Sequence, residues 1–139
     1  MAEHTKINFQ HRRVREIGDV TDVVEMLFPG NRNQQHAAAR ILLALRSANE
    51  PLRTMATLEG KYGISRRTLQ RTRAKLARLG LIEHVSGLST RHHGQEGWRL
   101  SGRMGTSLRL LADKIDAWRY EHRPDRVNKE ALLAGLIRH

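Results

Sequence analysis

The sequence is best understood from residues 63–82, which read GISRRTLQRTRAKLARLGLI. Gly63 can adopt a positive φ in a turn, and the hydroxyl of Ser65 can accept a free backbone N–H at the start of a helix. Apolar residues then recur at helical spacing, and Gly80 is typical of the left-handed residue that ends a helix. These signals predict a helix that begins after Ser65 and ends before Gly80.

The predicted helix has one apolar face and one cationic face. The apolar face carries Leu69, Leu76 and Leu79. The opposite face carries Arg67, Arg71, Ala74 and Arg78, with Gln70 and Lys75 on its flanks. A helix of this kind, entered through a tight turn, has the form required to lie in the major groove of DNA.

This stretch resembles the recognition helix of winged helix-turn-helix regulators. The matching residues are Ile64, Ser65, Thr68, Leu69 and Arg71, then Leu76, Gly80, Leu81 and Ile82. In such proteins the Gly-Leu-Ile segment opens the first strand of a β-hairpin, the wing. One residue departs from the pattern, because family members usually have an apolar residue at the position of Arg73. Either its stem packs while its guanidinium group reaches solvent, or the helix sits differently on the core.

The distribution of charge also indicates a polyanionic partner. The chain has 139 residues and a formal net charge of +11. Residues 64–103 alone contain nine lysines and arginines against two glutamates. A positive field concentrated in this way is typical of nucleic-acid binding, which salt weakens through counterion release.

Several function classes have no support in the sequence. The absence of cysteine excludes disulfides, thiolate metal sites and thiol redox sensing. No nucleotide-binding, metalloprotease or nucleophile-elbow motif occurs, so neither an enzyme nor a cofactor is expected. His92 and His93 are adjacent on a loop, and Asp113, Asp116 and His122 lack the spacing of a metal site, so no metal is expected.

The chain also lacks the features of a membrane or secreted protein. No secretory signal and no membrane-spanning apolar run is present, so a cytoplasmic, nucleoid-associated protein without a membrane partner is expected. The two tryptophans, two tyrosines and two phenylalanines argue against a platform for stacking single-stranded bases.

The expected fold class is mainly α with a small β-hairpin wing (α+β), a winged helix-turn-helix with extra N- and C-terminal helices. Residues 1–16 are expected to form a basic flexible arm, and 17–30 an N-terminal helix. Residues 31–102 are expected to form the winged helix-turn-helix DNA-binding domain, and residues 103–139 the C-terminal dimerisation helices. The arm is either a solvated tail or a segment that lies along phosphates or in a minor groove.

Three helices are predicted around the recognition helix. Residues 17–28 predict an amphipathic helix with an acidic outer face, which packs either on the domain or on a second subunit. Residues 34–47 predict a scaffold helix. Thr54 is expected to cap the first helix of the helix-turn-helix pair.

The wing is predicted from the alternation of apolar and polar residues and from a polar loop that contains several glycines. Residues 82–85 and 98–100 predict its two strands, joined by a polar loop over 87–97. Residues 51–53 predict a short strand that pairs with the wing.

The C-terminal segment carries a possible dimer seam. Its apolar residues Met104, Leu108, Leu111, Ile115 and Trp118 are spaced as in a heptad repeat. We expect this helix to pair with a second copy, although the seam could instead pack on the protein's own core. A last amphipathic helix is predicted over 127–137.

The candidate DNA contacts fall into two groups. Arginine can bind guanine and glutamine can bind adenine through paired hydrogen bonds, and a small residue allows close approach. The base-contacting candidates are Arg66, Arg67, Gln70, Arg71 and Ala74. The backbone-contacting candidates are Arg53, Ser65, Thr68, Lys75, Arg78, Arg91, His92, His93 and Arg99.

These features together predict a homodimer that binds double-stranded DNA in a sequence-specific manner as a transcriptional regulator, acting as a repressor. The sequence does not identify a small-molecule effector. Two alternatives stay open. The protein could be an architectural, replication-initiation or partition protein that coats or marks DNA, or its winged domain could contact protein or RNA.

Overall fold

The computed structural model describes residues 5–88, 94–121 and 131–136. The helices in these ranges are α1 (His11–Val14), α2 (Val20–Leu27), α3 (Arg32–Ser47), α4 (Ala56–Tyr62), α5 (Arg66–Leu79), α6 (Arg103–Arg119) and α7 (131–136). The strands β1 (Ile82–Val85) and β2 (Gly97–Leu100) form an antiparallel pair. The expected class, mainly helical with a small β-hairpin, is confirmed. The chain divides into two compact units, Met1–Met104 and Gly105–His139.

Helix α3 lies at the centre of the first unit and packs against both α2 and α5. It contributes Ala37, Ala38, Ile41 and Leu45 to the core, and the α2 segment contributes Val24, Leu27 and Phe28. Since α2 buries its apolar face against α3, the structure places this helix on its own domain. Its first turn is held by a capping box between Asp19 and Asp22.

Local signals set both ends of α5 as predicted. The hydroxyl of Ser65 accepts the N–H of Thr68 at 3.1 Å, which satisfies one of the free donors of the first turn. Gly80 ends the helix with φ 85°, and its carbonyl accepts the N–H of Met104 at 2.9 Å. A Cβ atom at Gly80 would lie 2.8 Å from the nitrogen of Met104, so the close approach of the Met104 backbone also requires glycine here.

The preceding helix, α4, starts one residue later than the sequence suggested. Met55 is its N-cap residue and makes no side-chain cap. The hydroxyl of Thr54 still accepts the N–H of Ala56 at 3.1 Å, so the predicted side-chain contact exists one position outside the cap.

The hairpin is extended by an isolated bridge at Leu52, where a short strand over residues 51–53 was predicted. The strand register pairs Ile82 with Leu100 and Val85 with Gly97. Leu52 and Trp98 exchange two backbone hydrogen bonds of 2.9 and 2.7 Å, which attaches the segment before α4 to β2. The predicted loop tip includes residues 89–93, which lie outside the described residues.

Part of the N-terminal segment, which the sequence predicts as a basic flexible arm, makes specific contacts with the rest of the first unit. We call residues 5–10 the N-terminal strap. The N–H of Asn8 in this strap donates to the carbonyl of Met26, at the end of α2, at 2.8 Å. The strap leads into α1, so the described part of the segment is attached to the first unit by specific contacts.

The second unit consists of most of α6 together with α7. The large apolar side chains among its described residues are exposed, including Leu132, Leu133 and Leu136 on α7. Within the described ranges, the helices are too short or too polar for any of them to cross a lipid bilayer.

Candidate nucleic-acid interface

The helix α5 presents one continuous exposed face. Its inner side is buried through Leu69, Thr72 and Leu76, and the hydroxyl of Thr72 donates to the carbonyl of Thr68 at 2.7 Å. The exposed positions of the opposite side, which we call the outer face of α5, are Arg66, Arg67, Gln70, Arg71, Ala74 and Arg78. These six include all five residues predicted to contact bases. The sequence of α5 contains no acidic residue that could neutralise this face.

Arg73, the residue that departs from the family pattern, is half-buried against the hairpin. Its guanidinium carbon lies 4.8 Å from the ring centroid of Trp98 in β2. The ring of His84 meets the same indole at 5.1 Å in an edge-on arrangement. A guanidinium group can pack on an aromatic face almost as an apolar group does, and it gains cation–π attraction there. The Arg73 guanidinium group itself therefore packs on the hairpin, whereas the first of the two alternatives placed only the stem on the protein and the guanidinium group in solvent.

Lys75 is engaged inside the protein. Its Nζ donates to the carbonyl oxygen of Lys6 at 2.6 Å and to that of Leu27. It also lies 4.5 Å from the ring centroid of Phe28. Burial, followed by the positive charge of Arg78, lowers the pKa of Lys75 below its ordinary value. These contacts occupy the ammonium group that the sequence assigned to DNA phosphates.

Arg78 lies where the outer face of α5 meets the N-terminal strap. The side chain is exposed, and its Nε donates to the hydroxyl of Thr5 at 3.4 Å. Thr5 is therefore located at the C-terminal end of the outer face.

Arg99 forms an ion pair across the hairpin. Its Nε donates to Glu83 Oε1 at 2.6 Å, and the two residues are directly opposite in the strand register. Glu83 also lies 3.3 Å from a guanidinium nitrogen of Arg103, and its side chain is only 13% exposed. A phosphate that approached Arg99 would have to compete with this carboxylate. Sequence reasoning missed the pair because strand register was required to recognise it.

The other backbone-contacting candidates have varied environments. Arg53 is exposed and follows the residue that pairs with β2. The hydroxyl of Ser65 caps α5 and donates to the hydroxyl of Thr68 at 2.9 Å. The candidates Arg91, His92 and His93 lie outside the described residues.

The predicted dimer seam is divided between two environments. Met104 packs against the core of the first unit, which leaves it in contact with its own chain. Leu108, Leu111, Ile115 and Trp118 are between 48% and 68% exposed. The heptad-spaced apolar surface of α6 therefore begins at Leu108.

Among the residues that the structure describes, no three His, Asp or Glu side chains are grouped so as to hold a metal ion. Comparison with protein-family models, with curated proteins and with solved structures gave no match.

Proposed function

We propose that this protein is a homodimeric winged helix-turn-helix regulator of transcription that binds double-stranded DNA. In this proposal α4 and α5 are the helix-turn-helix pair, and the β1–β2 hairpin is the wing. The supporting observation is the outer face of α5, which is cationic or polar at five of its six positions, free of acidic residues and exposed along its length. A rigid helix of this type fits the width of the major groove.

The composition of the outer face is suited to contact with base edges. Arg66, Arg67, Gln70 and Arg71 occupy the first two turns of α5, where a recognition helix meets the bases. Each arginine can donate two hydrogen bonds to guanine, and the glutamine can pair with adenine in the same way. Ala74 adds no bulk between the charged turns, so the helix backbone can come close to the groove.

Phosphate contacts complete the proposed interface. Arg78 is an exposed cation at the C-terminal end of the outer face, and Arg53 is an exposed cation beside the hairpin. The hydroxyl of Thr68 lies in the first turn of α5. Such contacts fix the register of the protein on the duplex and make the affinity depend on salt. Lys75 is left out of this group because its ammonium group is used internally.

The exposed seam on α6 supports pairing with a second copy. Four apolar side chains at heptad spacing form a stripe that can pack against its own symmetry mate. A two-fold dimer would present two outer faces to two half-sites of a palindrome. Occupation of such a site would repress a promoter by excluding the transcription machinery.

Selection of bound fragments from a random pool of duplex DNA tests this proposal. We expect the pool to converge on one sequence with two inverted half-sites, and binding to saturate there. Cooperative spreading along any duplex would instead indicate a protein that coats DNA. Equal competition by structured RNA would indicate an RNA-binding domain, and failure to bind duplex DNA at low ionic strength would contradict the proposal.

A further inference from the structure

The ammonium group of Lys75 occupies a site built from two main-chain carbonyls and an aromatic ring. The carbonyls belong to Lys6 in the N-terminal strap and Leu27 in α2, and the ring belongs to Phe28. Phe28 is almost completely buried, so its position is fixed by the core. Lys75 thus joins three segments that are far apart in the sequence: the strap, the end of α2, and α5.

The contact of Lys75 with the Leu27 carbonyl satisfies an acceptor at the end of α2. Leu27 is the last residue of α2, and the last four carbonyls of a helix have no partner within the helix. A cation at this end is also favoured by the helix dipole. The N–H of Asn8 satisfies the neighbouring carbonyl of Met26 at 2.8 Å. Lys75 and the strap therefore share the capping of α2.

The strap in turn reaches the outer face of α5. Arg78 lies one helical turn after Lys75, and its Nε donates to the hydroxyl of Thr5, the residue before Lys6. Lys75 and Arg78, which both belong to α5, therefore both contact the strap, at Lys6 and at Thr5 respectively. Loss of the Lys75 contacts would free the strap at Lys6 and with it the hydroxyl that Arg78 uses.

We propose that Lys75 is a positioning residue that anchors the N-terminal strap and, through it, orients Arg78 on the outer face of α5. Its charge is directed at the protein's own carbonyls and away from DNA phosphates. The anchoring of the strap is independent of what the protein binds, whereas the effect on Arg78 rests on the proposed DNA-binding function.

The test compares Lys75→Met with Lys114→Met, which removes the same charge from an exposed position on α6. Amide hydrogen exchange of Asn8, read by NMR in the full chain, reports on the strap without any DNA. We expect the exchange of Asn8 to accelerate by about tenfold or more in Lys75→Met and to be unchanged in Lys114→Met. Unchanged exchange of Asn8 in a folded Lys75→Met variant would overturn the proposal.

A second measurement uses DNA and separates a positioning role from a phosphate contact. The slope of log affinity against log salt falls by about one when a phosphate-binding cation is removed. If Lys75 acts through Arg78, Arg78→Ala should reduce the slope by about one, and adding Lys75→Met to that variant should reduce it no further. A further reduction of the slope by about one in the double variant, relative to Arg78→Ala alone, would overturn the proposal. If no variant binds DNA, the exchange of Asn8 still decides the anchoring, and only the proposed function fails.

The unmodified protein provides a readout if Lys75→Met fails to fold. An ammonium group held by two carbonyls exchanges its protons slowly, so the side-chain nitrogen signal of Lys75 should be visible by NMR when those of exposed lysines are not. A Lys75 signal that is broadened by exchange like that of Lys114 would contradict the geometry.

Discussion

Six cationic side chains lie on α5, and their charged groups meet different surroundings. Arg66, Arg67 and Arg71 extend into solvent from the outer face, whereas Arg73 packs on an indole and Lys75 binds two carbonyls. The charge available to an external polyanion is therefore smaller than the composition of the helix indicates. The effects of substituting individual cations on this helix should consequently differ: some substitutions should affect the binding of a partner, and others the contacts within the protein.

The environment of Lys75 leads to a prediction about its protonation. Its pKa is lowered by burial and by the charge of Arg78. Since the pKa is lower in the folded than in the unfolded chain, the unfolded chain binds more protons between the two values. The Lys75 contribution to folding free energy therefore becomes more favourable as the pH rises through that window, up to the ordinary value of 10.5.

An NMR titration of the Lys75 side chain measures this pKa directly. Replacement Arg78→Ala removes the like charge, so the pKa of Lys75 should move up toward its ordinary value. Arg66→Ala, about two and a half turns away on the same helix, serves as the control and should leave the pKa of Lys75 unchanged. A wild-type pKa for Lys75 equal to those of exposed lysines would contradict the observed burial.

At the scale of elements, the features that depend on residues close together in the sequence, such as the ends of a helix, were predicted. Ser65 and Gly80 set the ends of α5 through local hydrogen bonds and backbone conformation, and these rules operate within a few residues. The pairing of Leu52 with the hairpin was also predicted, although as a short strand over residues 51–53 rather than as the single bridge to Trp98.

The contacts that the sequence did not predict join side chains to distant or main-chain partners. The Arg73 side chain packs on Trp98, and the pattern showed only that an arginine occupied an apolar position. The strap is held by the backbone groups of Lys6 and Asn8, which leave no trace in residue type or periodicity. The candidate site was therefore predicted as a face of α5, while the contacts of its individual cations required the structure.

Gly97, the first residue of β2, allows a test of the contact between the hairpin and the segment around Leu52. Gly97 has φ +143°, and a Cβ atom there would overlap the carbonyl of Leu52 and lie 2.9 Å from the nitrogen of Arg53. Gly97→Ala should therefore break the pairing of Leu52 with β2 and lower the free energy of unfolding by about 2–4 kcal/mol. Urea denaturation gives this free energy.

The control for this substitution is Gly102→Ala. Gly102 has open space where a Cβ atom would stand, and its φ is not in the positive range. We expect its free energy of unfolding to change by no more than about 0.5 kcal/mol. Equal stability of the two variants would show that the segment around Leu52 does not depend on the close approach at Gly97.

At the scale of the whole molecule, charge and apolar surface are concentrated in different units. The outer face of α5 belongs to the first unit, and the heptad-spaced stripe from Leu108 to Trp118 belongs to the second. Such a division is suited to a protein that binds an anionic partner through one unit and a second copy of itself through the other.

The dimer proposal predicts the effect of a charge placed in the stripe. Leu111→Glu would bury a carboxylate in the seam, so we expect a monomer by sedimentation equilibrium at concentrations where the wild type is a dimer. Thr106→Glu places the same residue on the opposite side of α6 and should leave the mass unchanged. A wild-type chain that sediments as a monomer, or a Leu111→Glu variant that still pairs, would argue against this seam.

The central claim is that the outer face of α5 contacts base edges in the major groove. The most direct measurement compares Arg71→Ala with Arg46→Ala, an exposed arginine in the last turn of α3, on the selected duplex and on random duplex DNA. We predict that Arg71→Ala loses about 1–3 kcal/mol of binding free energy on the selected site and less on random DNA, with relaxed base preference at one position. The Arg46→Ala variant should keep the wild-type ratio between the two DNAs. Equal losses by both variants on both DNAs would contradict the claim.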